Sequence, residues 1–345
     1  MVNSLRNKTV VITGASSGMG LAAAHAFAHR GANLVLAARR EEPLRQAARD
    51  CEAMGVRAIA VPADVTDPAQ MCALAQVAVD RLGGINVWIN NAGLSLWGPF
   101  AGISIEAQNR LVEVNLMGVM NGTHAALPHM LSRGGQGVII NIASIGGRLP
   151  IPFAAAYSAS KFGVKGFTEA LRYELAAESD IEVCGLYPSF VDTPTNIHSA
   201  NYTGRALRPV PPVLSPERLA EAMVRLALRP RRALHVGIHH ALAAPYAFAP
   251  EETGRIMGRI ARKFLLEAGP PAEAFDGTLF EPVREGIGVR GGWGLPERRR
   301  TRNVSLAALA GIAGASALLA GVWGLSRQGR RMTPAGAATR HPHAS

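Results

Sequence analysis

The end of this chain has almost no acid. The sequence holds 36 Lys or Arg against 25 Asp or Glu, a formal +11 over 345 residues, yet residues 290–345 contain nine of the arginines and one acid, Glu297. That tail accounts for +8 and leaves +3 for everything before it. The basicity is therefore local rather than a surface built for a polyanion, no nucleic-acid motif accompanies it, and no nucleic-acid partner is expected. Cysteine is scarce as well: Cys51, Cys72 and Cys184 are too few and too scattered for a disulfide framework or a zinc site, which fits a reducing compartment. The ten histidines have no carboxylate or cysteine partners at ligand spacing, so no metal is expected. A secretory leader also lacks room, because MVNSLRNK runs straight into a strand-like segment at Thr9; the chain is expected to start in the cytosol. Apolar residues are plentiful at 48%, which excludes disorder of the whole chain. The length suits one domain of about 250 residues with an appendage.

Seven short, β-branched-rich runs punctuate the first 240 residues: 9–13, 33–37, 57–61, 85–90, 137–143, 181–187 and 233–237. They are near-continuously apolar rather than alternating, as suits strands buried on both faces, and Ala/Leu-rich stretches of helical length separate them. The expected class is α/β, a single doubly wound parallel sheet of about seven strands flanked by helices. Residues 193–216, rich in Pro and polar side chains, read as a mobile loop or lid over a site. The expected division is 1–240 as the sheet domain, 241–297 as a Pro/Gly-broken extension with a helix over 251–268, and 298–345 as a basic tail.

Within the tail, residues 304–325 (VSLAALAGIAGASALLAGVWGL) carry no charge and lie between RRRTR and RQGRR. As a helix they reach about 33 Å, enough for a bilayer core of roughly 30 Å. A membrane-anchoring helix is expected. Competing readings are an interfacial helix, a self-association helix using the small residues Ala310, Gly314, Ala317 and Gly321, or a flexible tail.

The first run opens into TGASSGMG, with Gly14, Gly18 and Gly20 around Ser16 and Ser17. Glycines in such a strand–turn–helix allow a tight turn and close backbone approach to a pyrophosphate, which the helix N-terminus favours. The second run ends at Ala38-Arg39-Arg40, where a chain selective for NAD usually places an acid; guanidinium groups suit the 2′-phosphate of NADP(H) instead. A solvated arginine pair bonded to Glu41 or Glu42 is the alternative. Asp64 beyond the third strand suits a contact to the adenine amino group, and Asp67 before Pro68 reads as a helix N-cap. In NNAG (90–93), Asn91 lies where the chain turns close to the nucleotide, while Asn90 fits a role between strands at least as well.

Y-S-A-S-K (157–161) puts Tyr157 and Lys161 one helical turn apart on one face, thirteen residues after Ser144 closes the run GVIINIAS. Together with TGASSGMG and NNAG, in this order and spacing, these residues resemble the short-chain dehydrogenase/reductase family from residue 6 to about 240. The resemblance implies a Rossmann-type fold and hydride transfer between a carbonyl or alcohol and a nicotinamide cofactor, with Tyr157 as acid/base. A phenol of pKa about 10 needs a nearby cation to act at neutral pH, and Lys161 supplies one; the resemblance also gives Lys161 the nicotinamide ribose. It further implies that Ser144 bonds the substrate oxygen, that Asn115 holds a water linked to Lys161, that Val191 and Thr193 hold the carboxamide, and that the chain forms a homo-oligomer. Ser144 as a strand-end cap and Asn115 as a buried hydrogen-bonding residue are the plainer readings. Ser189 stands where the family has glycine, which puts contacts at 188–190 in doubt. Apolar segments 94–100 and 147–156 suggest a hydrophobic substrate. A membrane-tethered dinucleotide-binding sensor without turnover is the alternative from another class.

Overall fold

The computed structural model describes residues 4–177 and 179–293; the tail, including 304–325, lies outside the described residues. Among the described residues, no helix is long and apolar enough to cross a membrane. Nine strands occur: β1 (Thr9–Thr13), β2 (Asn33–Ala38), β3 (Ala58–Pro62), β4 (Val87–Asn90), β5 (Leu96–Trp97), β6 (Gln136–Ile142), β7 (Asp180–Pro188), β8 (Ala200–Asn201) and β9 (Ala233–Val236). Seven of them form one parallel sheet in the order β3-β2-β1-β4-β6-β7-β9, and β5 pairs with β8. All seven apolar runs are strands of that sheet.

Burial on both faces explains why those runs do not alternate. Val10 and Ile12 of β1 pack with Phe27, Leu44 and Leu219 on one side, while Val11 between them packs with Met71, Leu74 and Trp88 on the other. Successive side chains point to opposite faces, so both must be apolar. Helices α1 (Gly18–Ala28), α2 (Glu41–Glu52) and Pro216–Leu228 cover the first face; α3 (Pro68–Leu82), α5 (Gly118–Leu131) and α6 (Ala155–Leu175) cover the second, with α4 (Ile105–Val112) beside them. Asp67 caps α3 as its sequence position requires, accepting from the backbone N–H groups of Ala69 at 2.9 Å and Gln70 at 3.3 Å, with Pro68 in the first turn.

Strand order reverses between β1 and β4, and the carboxyl ends of those strands open a crevice at the point where nucleotides bind in doubly wound sheets. Residues 193–216 differ from a loose lid. They form a short helix, Thr195–His198, then β8, and His198, Ser199, Asn201 and Thr203 are all buried. The cause lies far along the chain: Asn201 exchanges both backbone bonds with Phe275, and Thr278 donates to the His198 carbonyl at 3.0 Å. The helix expected over 251–268 occurs as Pro250–Arg262 followed by a widened turn, Lys263–Glu267.

Candidate active site

A cleft of about 250 Å³ runs along the crevice and is lined by Gly14, Ser16, Arg39, Arg40, Asp64, Asn91, Ser144, Tyr157, Lys161, Val191 and Thr193, among others. At one end, β1 turns through Gly14 into α1. Gly14 has φ +66° and Gly18 φ +56°, conformations that favour glycine. A Cβ on Gly20 would lie 2.2 Å from the Gly14 carbonyl oxygen, so that position fits only a bare backbone. Asn91 fastens the turn, its Nδ2 donating to the carbonyls of Thr13 at 2.9 Å and Gly14 at 3.2 Å. Its Oδ1 is buried without a partner on the wall of the cleft. A bare-backbone turn at a helix N-terminus and an unsatisfied buried acceptor beside it are what a ribose–pyrophosphate group would use, so the residues present fit a dinucleotide.

Arg39 and Arg40 reach this end, but not toward Glu41 and Glu42, which pair with Arg45 and Arg49. Arg39 donates to the carbonyls of Phe280 at 2.9 Å and Thr278 at 2.5 Å. Arg40 donates to the carbonyls of Val283 and Glu285, each at 3.2 Å, and to the hydroxyls of Ser17 at 2.8 Å and Ser16 at 3.3 Å. Asp64 accepts from Arg110 at 2.7 Å and from the Thr66 N–H and hydroxyl. Burial pushes the Asp64 carboxyl up, and the bonds from Thr66 and Arg110 outweigh it and hold the group below its ordinary range. Arg110 has no local signature in the sequence; it meets Asp64 only because α4 packs beside the end of β3.

At the other end stand Ser144, Tyr157 and Lys161. Ser144 follows β6 and caps the turn Ile145–Gly147, its Oγ accepting from the Gly146 N–H at 3.0 Å. Gly146 and Gly147 let α6 come close: a Cβ there would sit 2.9 Å from Tyr157 Cε1 and 2.6 Å from the Lys161 carbonyl, respectively. Burial raises the Tyr157 phenol above its ordinary value, opposed by its bond with the Ser144 side chain. Burial also pushes Lys161 down to about 8. The Lys161 ammonium donates to the Ile142 carbonyl at 3.1 Å and lies 5.9 Å from the centre of the Tyr157 ring. Trp97 stacks on the outer side of that ring, centroids 6.4 Å apart.

Asn115 is fully buried in a π-helical turn, Glu113–Met117, between α4 and α5. Its side chain accepts from the Leu94 N–H at 2.7 Å and donates to the Leu94 carbonyl at 3.0 Å and to Ser160 at 3.1 Å. The amide thus clamps the loop after β4 to α6. Asn90 is structural too: buried, it accepts from Trp88 and donates to Thr123 and Asn141. Ser189 is not among the described residues with positive φ; Gly237 beside it is, at +119°, and a Cβ on Gly237 would fall 2.0 Å from the Ser189 hydroxyl. Val191 and Thr193 are both buried on the cleft wall, where a Cβ on Gly18 would lie 3.3 Å from Thr193. The three clustered histidines are engaged elsewhere: His239 bonds the Pro211 carbonyl, His240 the Tyr187 carbonyl, and the His235 ring lies tilted against Tyr187, centroids 4.8 Å apart.

Comparison with known proteins identifies the family. A family model described as short chain dehydrogenase matches residues 8–202. The chain is 34% identical over 262 residues to the uncharacterized oxidoreductase YxnA of Bacillus subtilis, covering 75% of this chain and 74% of that one. It is 40% identical over 233 residues to 3beta-hydroxysteroid dehydrogenase 1 of Eggerthella lenta, covering 66% and 89%. A ketoacyl reductase of Nostoc, HetN, is 39% identical over 190 residues, covering 55% and 66%. The chain belongs to the short-chain dehydrogenase family and is an NAD(P)-dependent oxidoreductase of CH–OH and C=O groups.

Proposed function

We propose that the protein interconverts a carbonyl and an alcohol on a hydrophobic small molecule, using NADP(H) and Tyr157 as the acid/base. The observation that carries this reading is one cleft with Ser144, Tyr157 and Lys161 at one end and Arg39 and Arg40 at the other. A bound nicotinamide dinucleotide supplies or accepts the hydride at C4 of its ring. Tyr157, kept protonated by burial, donates its proton to the oxygen on which negative charge develops during reduction. Ser144 Oγ accepts from Gly146 and bonds the Tyr157 hydroxyl, and with substrate in place its proton turns to the same developing oxygen. Lys161, cationic below about 8, favours loss of the phenolic proton through its charge. Asn115 acts by positioning, holding the Leu94 backbone against α6. Arg39 and Arg40 bind the 2′-phosphate, Asp64 the adenine, and Val191 and Thr193 the carboxamide. Trp97, Ile151 and Phe190 on the wall support an apolar substrate, as does the name of the Eggerthella relative, a hydroxysteroid dehydrogenase.

A panel of apolar ketones and aldehydes with NADPH tests this reading. Tyr157→Phe is expected to lower kcat by about 10²–10⁴-fold while leaving NADPH affinity within about twofold; unchanged turnover refutes the assigned chemistry. The same proposal includes membrane association through 304–325. It is supported by that segment's lack of charge and by the exposed stripe Arg255, Ile256, Arg259, Ile260 and Lys263 on Pro250–Arg262 and its following turn. A homo-oligomer is supported by exposed Ile105, Phe162 and Tyr173 on α4 and α6.

A further inference from the structure

The two arginines assigned to the cofactor phosphate are already bonded to the protein's own backbone. Main-chain carbonyls of Thr278, Phe280, Val283 and Glu285 accept from all four terminal nitrogens of Arg39 and Arg40 except the one on Arg40 that bonds Ser16 and Ser17. The same segment ends at Gly288, whose carbonyl accepts from the Gly18 N–H at 3.0 Å, at the start of α1. We propose that Thr278–Gly288 is a strap within the cofactor site, one that holds Arg39 and Arg40 through its carbonyls and exchanges them for the nucleotide's 2′-phosphate.

The strap is built to exchange rather than to stay. It is pinned at its ends: Leu279 is 1% exposed, and beyond the strap the Gly291 and Trp293 N–H groups donate to Asp192 at 3.1 and 2.7 Å. Between the pins it lies open to solvent, with Phe280 43% and Ile287 54% exposed. Gly286, at φ +66°, passes so close to His198 that a Cβ would fall 2.4 Å from the ring nitrogen. The carbonyls are neutral acceptors, whereas a phosphate is ionised and matches the planar guanidinium in bidentate geometry. The strap also lines the cleft itself, through Thr278 and Pro282. Opening also releases His198, whose Nε2 donates to the Glu285 carbonyl at 2.8 Å, so arrival of the phosphate is felt at the helix Thr195–His198 on the cleft wall. While the strap is closed, it lowers apparent affinity by the fraction of molecules that are open.

This inference rests on reading Arg39 and Arg40 as the 2′-phosphate site, and the experiment separates the two. The full chain is digested briefly with trypsin in the presence of NADP⁺, NAD⁺ or 2′,5′-ADP, and cleavage after the exposed strap residue Arg284 is followed by mass spectrometry; binding of each nucleotide is measured by calorimetry. Cleavage at Arg284 should rise about fivefold or more with NADP⁺ and 2′,5′-ADP and not with NAD⁺. Gly286→Val, which crowds His198 and disfavours closure, should bind NADP⁺ severalfold more tightly than the parent. Tighter binding of NADP⁺ than NAD⁺ with cleavage unchanged or slowed, or with Gly286→Val binding no better, overturns the strap and leaves the cofactor reading standing. Equal affinity for both nucleotides with equal cleavage overturns both.

Discussion

The two ends of the cleft handle buried positive charge in opposite ways. At the arginine end, Arg39 and Arg40 lose some basicity to burial but start so high that they stay cationic, and oxygen atoms of the chain surround them. At the lysine end, Lys161 has the Ile142 carbonyl and the face of Tyr157, and burial brings it down to about 8. A guanidinium is weakly hydrated and tolerates burial among carbonyls, whereas an ammonium loses its water at greater cost and yields its proton instead. The difference divides the labour: the arginine end is suited to holding a permanent anion, and the lysine end to moving a proton near neutral pH.

The sharpest way to break that comparison is to remove the arginines. Arg39→Ala and Arg40→Ala should each weaken NADPH binding by about 10–100-fold, the net loss of one hydrogen bond to a charged group at roughly 1.5–3 kcal/mol, and weaken NADH binding far less. Calorimetric titration of both nucleotides checks it. Equal losses for NADPH and NADH would mean that the arginines do not recognise the 2′-phosphate.

A pH profile probes the other end with a smaller effect. Lys161 is protonated below about 8, and the proposed role needs its charge. For carbonyl reduction, kcat/KM should be level below that value and fall about tenfold per pH unit above it. A flat profile to pH 10 would remove the ammonium from the mechanism. Replacing the lysine should abolish the break along with most of the activity.

Which of these features the sequence disclosed follows from how local each one is. The seven strands, the Asp67 cap and the Tyr157–Lys161 pair depend on residues a few positions apart, and periodicity or helical spacing exposes them. The glycine turn is legible for the same reason. The acceptors of Arg39 lie far along the chain, the Phe280 carbonyl at a separation of 241 residues, and main-chain carbonyls carry no side-chain signature. Arg110 meets Asp64 across 46 residues, and Gly237 makes room for Ser189 across a strand pair. Asn115 shows a different limit. Its identity suggested a site residue, but which groups its amide would hold depended on the widened turn Glu113–Met117, and no propensity marks a π turn in advance.

The smallest expected effect sets stability against function at a single residue. Lys161 is 5% exposed and sits at about 8 in the folded chain against an ordinary 10.5. Between those values the unfolded chain binds a proton that the folded chain does not, so this group makes stability rise with pH across the window and lowers it most below about 8. Lys161→Met removes the penalty, loses the bond to the Ile142 carbonyl and keeps much of the side-chain volume. The net gain at pH 7 should be about 1–2 kcal/mol, since each tenfold loss of proton affinity on folding corresponds to about 1.4 kcal/mol and the lost bond returns part of it. The melting temperature should then rise by about 2–4 °C per kcal/mol. The gain should shrink as the scan moves from pH 7 toward pH 10.5, where the parent no longer carries a buried charge. A variant that melts lower at pH 7 would show that the Ile142 bond outweighs desolvation, and that the lysine end is as well satisfied as the arginine end.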